Sequence, residues 1–127
     1  MNAQSLGSLR TGWSATLDDC AISGGWTSEG KEFAVVDAAG SVSVFDGKLG
    51  DLIWTKKQVH DGGALATSVH PSKSKFATTG QDGRLIIWNL LEPDTEKVID
   101  IGKGWAENVS WSPDGSLIAT SLSKTVY

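Results

Sequence analysis

Two histidines, His60 and His70, and one cysteine, Cys20, are the first places to look for acid–base, nucleophilic or metal chemistry. His60 with Asp82 could make a His–Asp pair, and Thr78 would then be the hydroxyl nucleophile that such a pair activates. His70 stands between Val69 and Pro71 in a turn sequence. Two histidines in different turns, with no Cys or Glu at ligand spacing, do not make a metal site. The sequence has no Gly-x-Ser-x-Gly elbow, phosphate-binding loop or zinc-protease helix motif, and it implies no cofactor. Cys20 sits beside Ala21 and Ile22 and reads as a small buried apolar residue, because free Cys usually behaves as a small hydrophobe.

Composition narrows the partners. The 127 residues carry 11 Lys and Arg against 15 Asp and Glu, a net charge of −4. Only Lys56 and Lys57 are adjacent, so the basic stripe that counterion release requires is missing and nucleic acid is not expected. No apolar run approaches the ~20 residues of a membrane span, and residues 1–12 read as a plain tail with neither a charged nor an apolar leader region. These features suggest a cytoplasmic protein.

The elements that must position these residues repeat. Trp26, Val69 and Trp111 are 43 and 42 residues apart, and so are Ala21, Ala64 and Ala106, and Ala34, Ala77 and Ala119. Gly40 and Phe45-Asp46 find counterparts 43 residues on in Gly83 and Trp88-Asn89. A period near 43 falls in the range of about 40–45 residues of a four-stranded propeller blade. Strand a is expected over 20–26, 64–69 and 106–111; strand b over 32–37, 75–79 and 117–121. Strand c is expected over 41–46, 84–89 and 124–127; strand d over 51–55 and 96–101. Ser112-Pro113-Asp114-Gly115 and Gln81-Asp82-Gly83 are turn sequences. Leu85-Ile86-Ile87-Trp88 is apolar throughout, as suits a strand covered on both faces. Leu90 to Lys97 reads as the c–d loop.

On Trp88-Asn89 and Phe45-Asp46 in the place of a Trp-Asp pair, on 111–115 and on 78–83, the chain resembles the WD-repeat β-propeller family. The resemblance implies an all-β fold of four-stranded antiparallel units in a partial or open arc. The arc would comprise a d-like strand at 13–17, blade one at about 20–55, blade two at about 63–101 and an incomplete blade three at about 105–127. It also implies that His60, Thr78, Asp82 and Trp88 form a buried structural tetrad joining strands a, b and c. That assignment explains the candidate His–Asp pair without catalysis. The first unit has Leu17, Val35 and Ala39 at the matching positions, and the third has Gly102, Thr120 and Ser123 or Lys124, so one blade of three carries the set.

In this family the d–a and b–c loops gather on one face, where partners dock. Those loops here hold Asp18, Asp19, Asp61, Gln81, Lys103 and Trp105. A tryptophan among small polar loop residues suits an interface anchor, although Trp105 could instead tuck over a neighbouring blade. The reading is a non-catalytic scaffold that binds a protein or peptide. The alternatives are a hydrolase with chemistry in the central channel, against which strand a offers no acid or base pair, and a truncated piece with no role of its own. A closed propeller needs at least about four blades. The chain is therefore expected to be part of a larger propeller, or to close a ring by self-association.

Overall fold

The computed structural model describes residues 10–127, so most of the tail lies outside the described residues. Among the described residues, eleven strands form three antiparallel sheets. The first holds β1 (Ala21–Trp26), β2 (Glu32–Asp37), β3 (Val42–Asp46) and β4 (Leu52–Lys56). The second holds β5 (Ala64–Val69), β6 (Lys75–Gly80), β7 (Arg84–Asn89) and β8 (Lys97–Asp100). The third holds β9 (Val109–Trp111), β10 (Ile118–Leu122) and β11 (Thr125–Val126). Strand order follows chain order within each sheet, and the three sheets do not close into a ring. A 3-10 turn over Pro93–Thr95 interrupts the c–d loop of the second blade.

Repetition extends to detail. The a–b pairing slips between Ala21 and Ser23 in the first blade and between Ala64 and Ala66 in the second, the same place one period on. Strands β1, β5 and β9 are neighbours across the blades, so strand a forms the inner wall of the arc. The core lies between blades one and two. Ala34, Val36, Val42 and Val44 of the first face Phe76, Ile86, Trp88 and Leu90 of the second. Alternation along β2 and β3 sends this apolar set to one face, which is why a half-buried strand pattern builds a stack of sheets.

Trp54 on β4 seals the junction. Its ring stacks on Phe76 at 6.1 Å and lies 5.7 Å from Trp88, and its indole N–H donates to Leu90 O at 3.2 Å. Trp13 repeats this one period earlier: it packs on Phe33 and Phe45 and donates to Gly47 O at 2.9 Å. The stretch from Trp13 to Leu17 nonetheless forms no strand, contrary to the expected d-like strand. No neighbouring strand offers it a backbone ladder, so its indole holds it in place. Strand a of blade three is also shorter than expected, because Ala106 N–H donates to Gly80 O of blade two at 3.0 Å and draws the chain out of the sheet. Cys20 is exposed rather than buried, since it precedes β1, whose residues are mostly open to solvent.

Candidate protein-docking face and its buried support

The tetrad residues come from a d–a loop and strands b and c of one blade. His60 ends the loop before β5, Thr78 lies in β6, Asp82 in the b–c turn and Trp88 in β7. His60 Nδ1 lies 3.1 Å from Asp82 Oδ1, and Nε2 lies 2.8 Å from Thr78 Oγ1. Trp88 Nε1–H donates to Thr78 Oγ1 at 2.9 Å. A single assignment satisfies every atom: Nδ1–H donates to the carboxylate, the Thr78 hydroxyl donates to Nε2, and the indole donates to the hydroxyl oxygen. Asp82 also accepts the Asp61 and Arg84 backbone N–H groups at 3.1 and 3.2 Å.

Burial pushes the His60 imidazole below its ordinary value, against an opposing pull from the Asp82 carboxylate. His60, Thr78 and Trp88 are almost wholly out of solvent. A nucleophile so enclosed meets no substrate, and its hydroxyl proton is already committed. The chemistry this arrangement can do is mechanical: it fixes the b–c turn against the d–a loop.

The glycines complete that support. Gly40 and Gly83 both take positive φ, +89° and +69°. A Cβ at Gly40 would overlap the His60 carbonyl, and one at Gly83 would overlap the Gly102 carbonyl. Each b–c turn therefore presses against the following d–a loop through bare backbone.

Above the tetrad lies a shallow polar depression lined by Asp61, Asp82, Arg84, Asp100, Gly102 and Lys103. Arg84 and Asp100 are cross-strand neighbours on β7 and β8. Among the described residues no ion pair joins Asp61 or Asp100 to Arg84 or Lys103. Trp105 follows two residues after Lys103 and is 51% exposed. Gln81 donates its backbone N–H to Gly63 O at 2.9 Å, at the edge of the same region. Asp18 and Asp19 do not line this depression: Asp18 faces Lys57 Nζ at 3.5 Å, and Asp19 caps the Cys20 N–H at 2.7 Å. Sequence reasoning missed Arg84 and Asp100, although both flank the Asp-Gly turn or its neighbouring loop at strand ends.

His70 has a different task. It accepts the Ser72 and Lys73 N–H groups at Nδ1, at 3.1 and 2.9 Å, and donates from Nε2 to Gly115 O of blade three at 3.2 Å. It ties the second a–b turn to the third.

No protein-family model matches the chain. It is 32% identical over 62 residues to the guanine nucleotide-binding protein subunit beta of Nicotiana tabacum, covering 49% of this chain and 16% of that protein. It is 33% identical over 82 residues to a p21-activated protein kinase-interacting protein 1-like protein of Danio rerio, covering 58% and 22%. The β-propeller domain of Myceliophteria thermophila Cps50 (Swd1) superposes with a TM-score of 0.74 at 13% identity, over 84% of this chain and 32% of that one. The chain is a run of WD-repeat β-propeller blades. The WD blades span less than a quarter of the length of the curated relatives they match.

Proposed function

We propose that these WD blades are a non-catalytic interaction module that docks a protein or peptide on the d–a and b–c loop face. The observation that carries this reading is the polar depression beside exposed Trp105, held from below by a fully satisfied buried network. Tryptophan and arginine are the residues that anchor interfaces most often, and unpaired rim charges steer a partner into register. The p21-activated protein kinase-interacting protein is, by its name, a protein that works by binding another. The net charge of −4 disfavours nucleic acid as the partner. The exposed free thiol of Cys20 fits a reducing compartment, which supports a cytoplasmic location.

The blades are also proposed to sit in a larger ring. Leu117 and Val126 on the outer side of blade three are 71% and 76% exposed, and further blades would cover them. Light scattering separates this from ring closure by copies of the same chain, which would give a discrete oligomer.

Trp105→Ala tests the docking face. It should weaken capture of a protein partner by about 30-fold, the scale of an interface hot spot, with the unfolding midpoint unchanged. Full-strength capture by this variant removes Trp105 from the face. A turnover that disappears in Asp82→Asn would overturn the non-catalytic reading.

A further inference from the structure

The sequence holds four Asp-Gly pairs: Asp46-Gly47, Asp61-Gly62, Asp82-Gly83 and Asp114-Gly115. In such a pair the glycine nitrogen can attack the aspartate side-chain carbonyl carbon, because no Cβ on the glycine blocks the approach. A folded chain must meet two conditions. The carboxyl group has to be free to turn toward the main chain, and the glycine N–H has to be free of a hydrogen bond that holds the nitrogen in place.

Three of the pairs meet neither condition. Asp46 Oδ2 accepts the Lys48 and Leu49 N–H groups, and Gly47 N–H donates to Lys31 O at 2.7 Å. Asp82 is held by His60 and by the Asp61 and Arg84 N–H groups, and Gly83 N–H donates to Gly80 O at 3.3 Å. Asp114 Oδ1 accepts both the Ser112 and Ser116 hydroxyls and the Ser116 N–H, and Gly115 N–H donates to Ser112 O at 2.8 Å. Packing agrees with the hydrogen bonds. A Cβ would overlap the Gly30 carbonyl at Gly47, the Gly102 carbonyl at Gly83 and the His70 ring at Gly115.

Asp61-Gly62 differs on every count. Both residues are exposed. Among the described residues no donor reaches the Asp61 carboxylate, no cation pairs with it, and no acceptor takes the Gly62 N–H. A Cβ at Gly62 would meet only the Gln81 side chain, at 3.1 Å. The loop is flanked by Gly40 of blade one and Asp82 of blade two, so it lies on the loop face and not on a surface that a further blade would cover.

We infer that Asp61-Gly62 is a modification site, at which Asp61 converts through a succinimide to isoaspartate. The Gly62 nitrogen bonds to Asp61 Cγ while the protonated carboxyl loses its hydroxyl, which leaves with the amide proton as water. Water then opens the five-membered ring. Addition at Cγ restores aspartate. Addition at the main-chain carbonyl carbon routes the chain through Cβ and Cγ and leaves a free α-carboxylate. Charge is conserved, nothing is oxidised or reduced, and the main chain gains one atom. His60 is fixed by the tetrad, and Gly63 by its bonds to His60 O and Gln81 N–H at 3.2 and 2.9 Å, so the added atom pushes residues 61 and 62 outward. The new α-carboxylate makes the loop a substrate for an isoaspartyl carboxyl methyltransferase. This chemistry needs no docked partner and stands apart from the proposed function.

Ageing the full chain at mildly acidic pH in water enriched in heavy oxygen, once folded and once in urea, tests the site. Trypsin puts each Asp-Gly pair in a separate peptide, with Asp61 in residues 58–73, and electron-transfer fragmentation separates isoaspartate from aspartate. In the folded chain, isoaspartate carrying one heavy oxygen should appear first at Asp61 and exceed the other three positions together. In urea the preference should shrink to parity, because all four pairs are then equally free. Asp61→Glu keeps the charge but would need a six-membered ring. After ageing it should show no product in residues 58–73 and no methyl transfer to that peptide from S-adenosylmethionine by an isoaspartyl carboxyl methyltransferase. Product appearing first at Asp46, Asp82 or Asp114, equal product at all four positions in the folded chain, or the same Asp61 preference in urea overturns the inference.

Discussion

Trp54 and Leu90 lock two blades together through one hydrogen bond, indole N–H to carbonyl oxygen at 3.2 Å, with the Trp54 ring laid over Phe76. Trp13 makes the matching bond to Gly47 at 2.9 Å. Trp54→Ala removes a ring that covers two fully buried aromatics and should cost about 3–4 kcal/mol, near the usual range for deleting a large packed aromatic. Trp13→Ala should cost less, because Trp13 closes a face with one flanking sheet only. Denaturant midpoints of the two variants check the order, and equal losses would contradict it.

Trp88→Phe keeps the ring and deletes the donor to Thr78. Leaving a buried hydroxyl short of a partner should cost about 1–3 kcal/mol. Asp46→Asn belongs to the blade without a tetrad, where Asp46 accepts the exposed Lys48 and Leu49 N–H groups at 3.1 and 2.6 Å. Its loss should be well under 1 kcal/mol, as for most surface changes. Chemical denaturation of both proteins side by side decides whether the tetrad carries the larger share.

Acid should weaken the fold through His60. Its folded value lies below the 6.5 of the free side chain because burial penalises the charged ring. Between those two values the unfolded chain binds more protons than the folded one, so stability rises with pH there. His60 therefore contributes fully above about 6.5 and less as pH falls toward the folded value. Asp114 stays ionised across this window: hydrogen bonds from the Ser116 backbone and the Ser112 and Ser116 hydroxyls hold it down to about 2. Urea midpoints should be lower at pH 5.5 than at pH 7.5, and a midpoint that rises on acidification would refute the neutral assignment of His60.

Two glycines with the same φ should respond differently to alanine. Gly30 and Gly83 both sit at φ +69°, but a Cβ at Gly30 meets nothing within 4 Å while one at Gly83 overlaps the Gly102 carbonyl. Gly30→Ala should cost about 1 kcal/mol of backbone strain alone. Gly83→Ala should cost more than twice that, because the d–a loop has to move as well. Thermal melts of the pair test the prediction, and equal shifts would mean that the loop yields freely.

The repeat was legible because several independent columns share one period, and the strands of the first two blades fall close to where the period puts them. The tetrad set was legible only through the family resemblance, which implies where its four members fall within one blade. What the sequence did not reveal is contact between blades. Nothing in the residues near Gly83 indicates that Gly102 presses on it, or that His70 reaches Gly115. Cys20 misled for the same reason: its neighbours along the chain are apolar, but solvent access depends on what lies across the arc. Trp13 was expected in a d-like strand and instead docks its ring on blade one, since a side chain can dock where a backbone finds no ladder. Arg84 and Asp100 escaped notice because each looks like an ordinary strand-end charge until β7 and β8 are paired.

The spread of tryptophans gives the molecule its own spectroscopic map. Trp13 and Trp26 lie together on the leading face at 6.5 Å, Trp54 and Trp88 share the first junction, and Trp111 is pinned to Ser68 at the second. Each blade boundary thus holds a separate indole emitter, and the half-exposed Trp105 stands beside the loop depression. Replacing the indoles one at a time would turn intrinsic fluorescence into a readout of which boundary opens first. The red-edge emission of Trp105 would report occupancy of the loop face without any attached label.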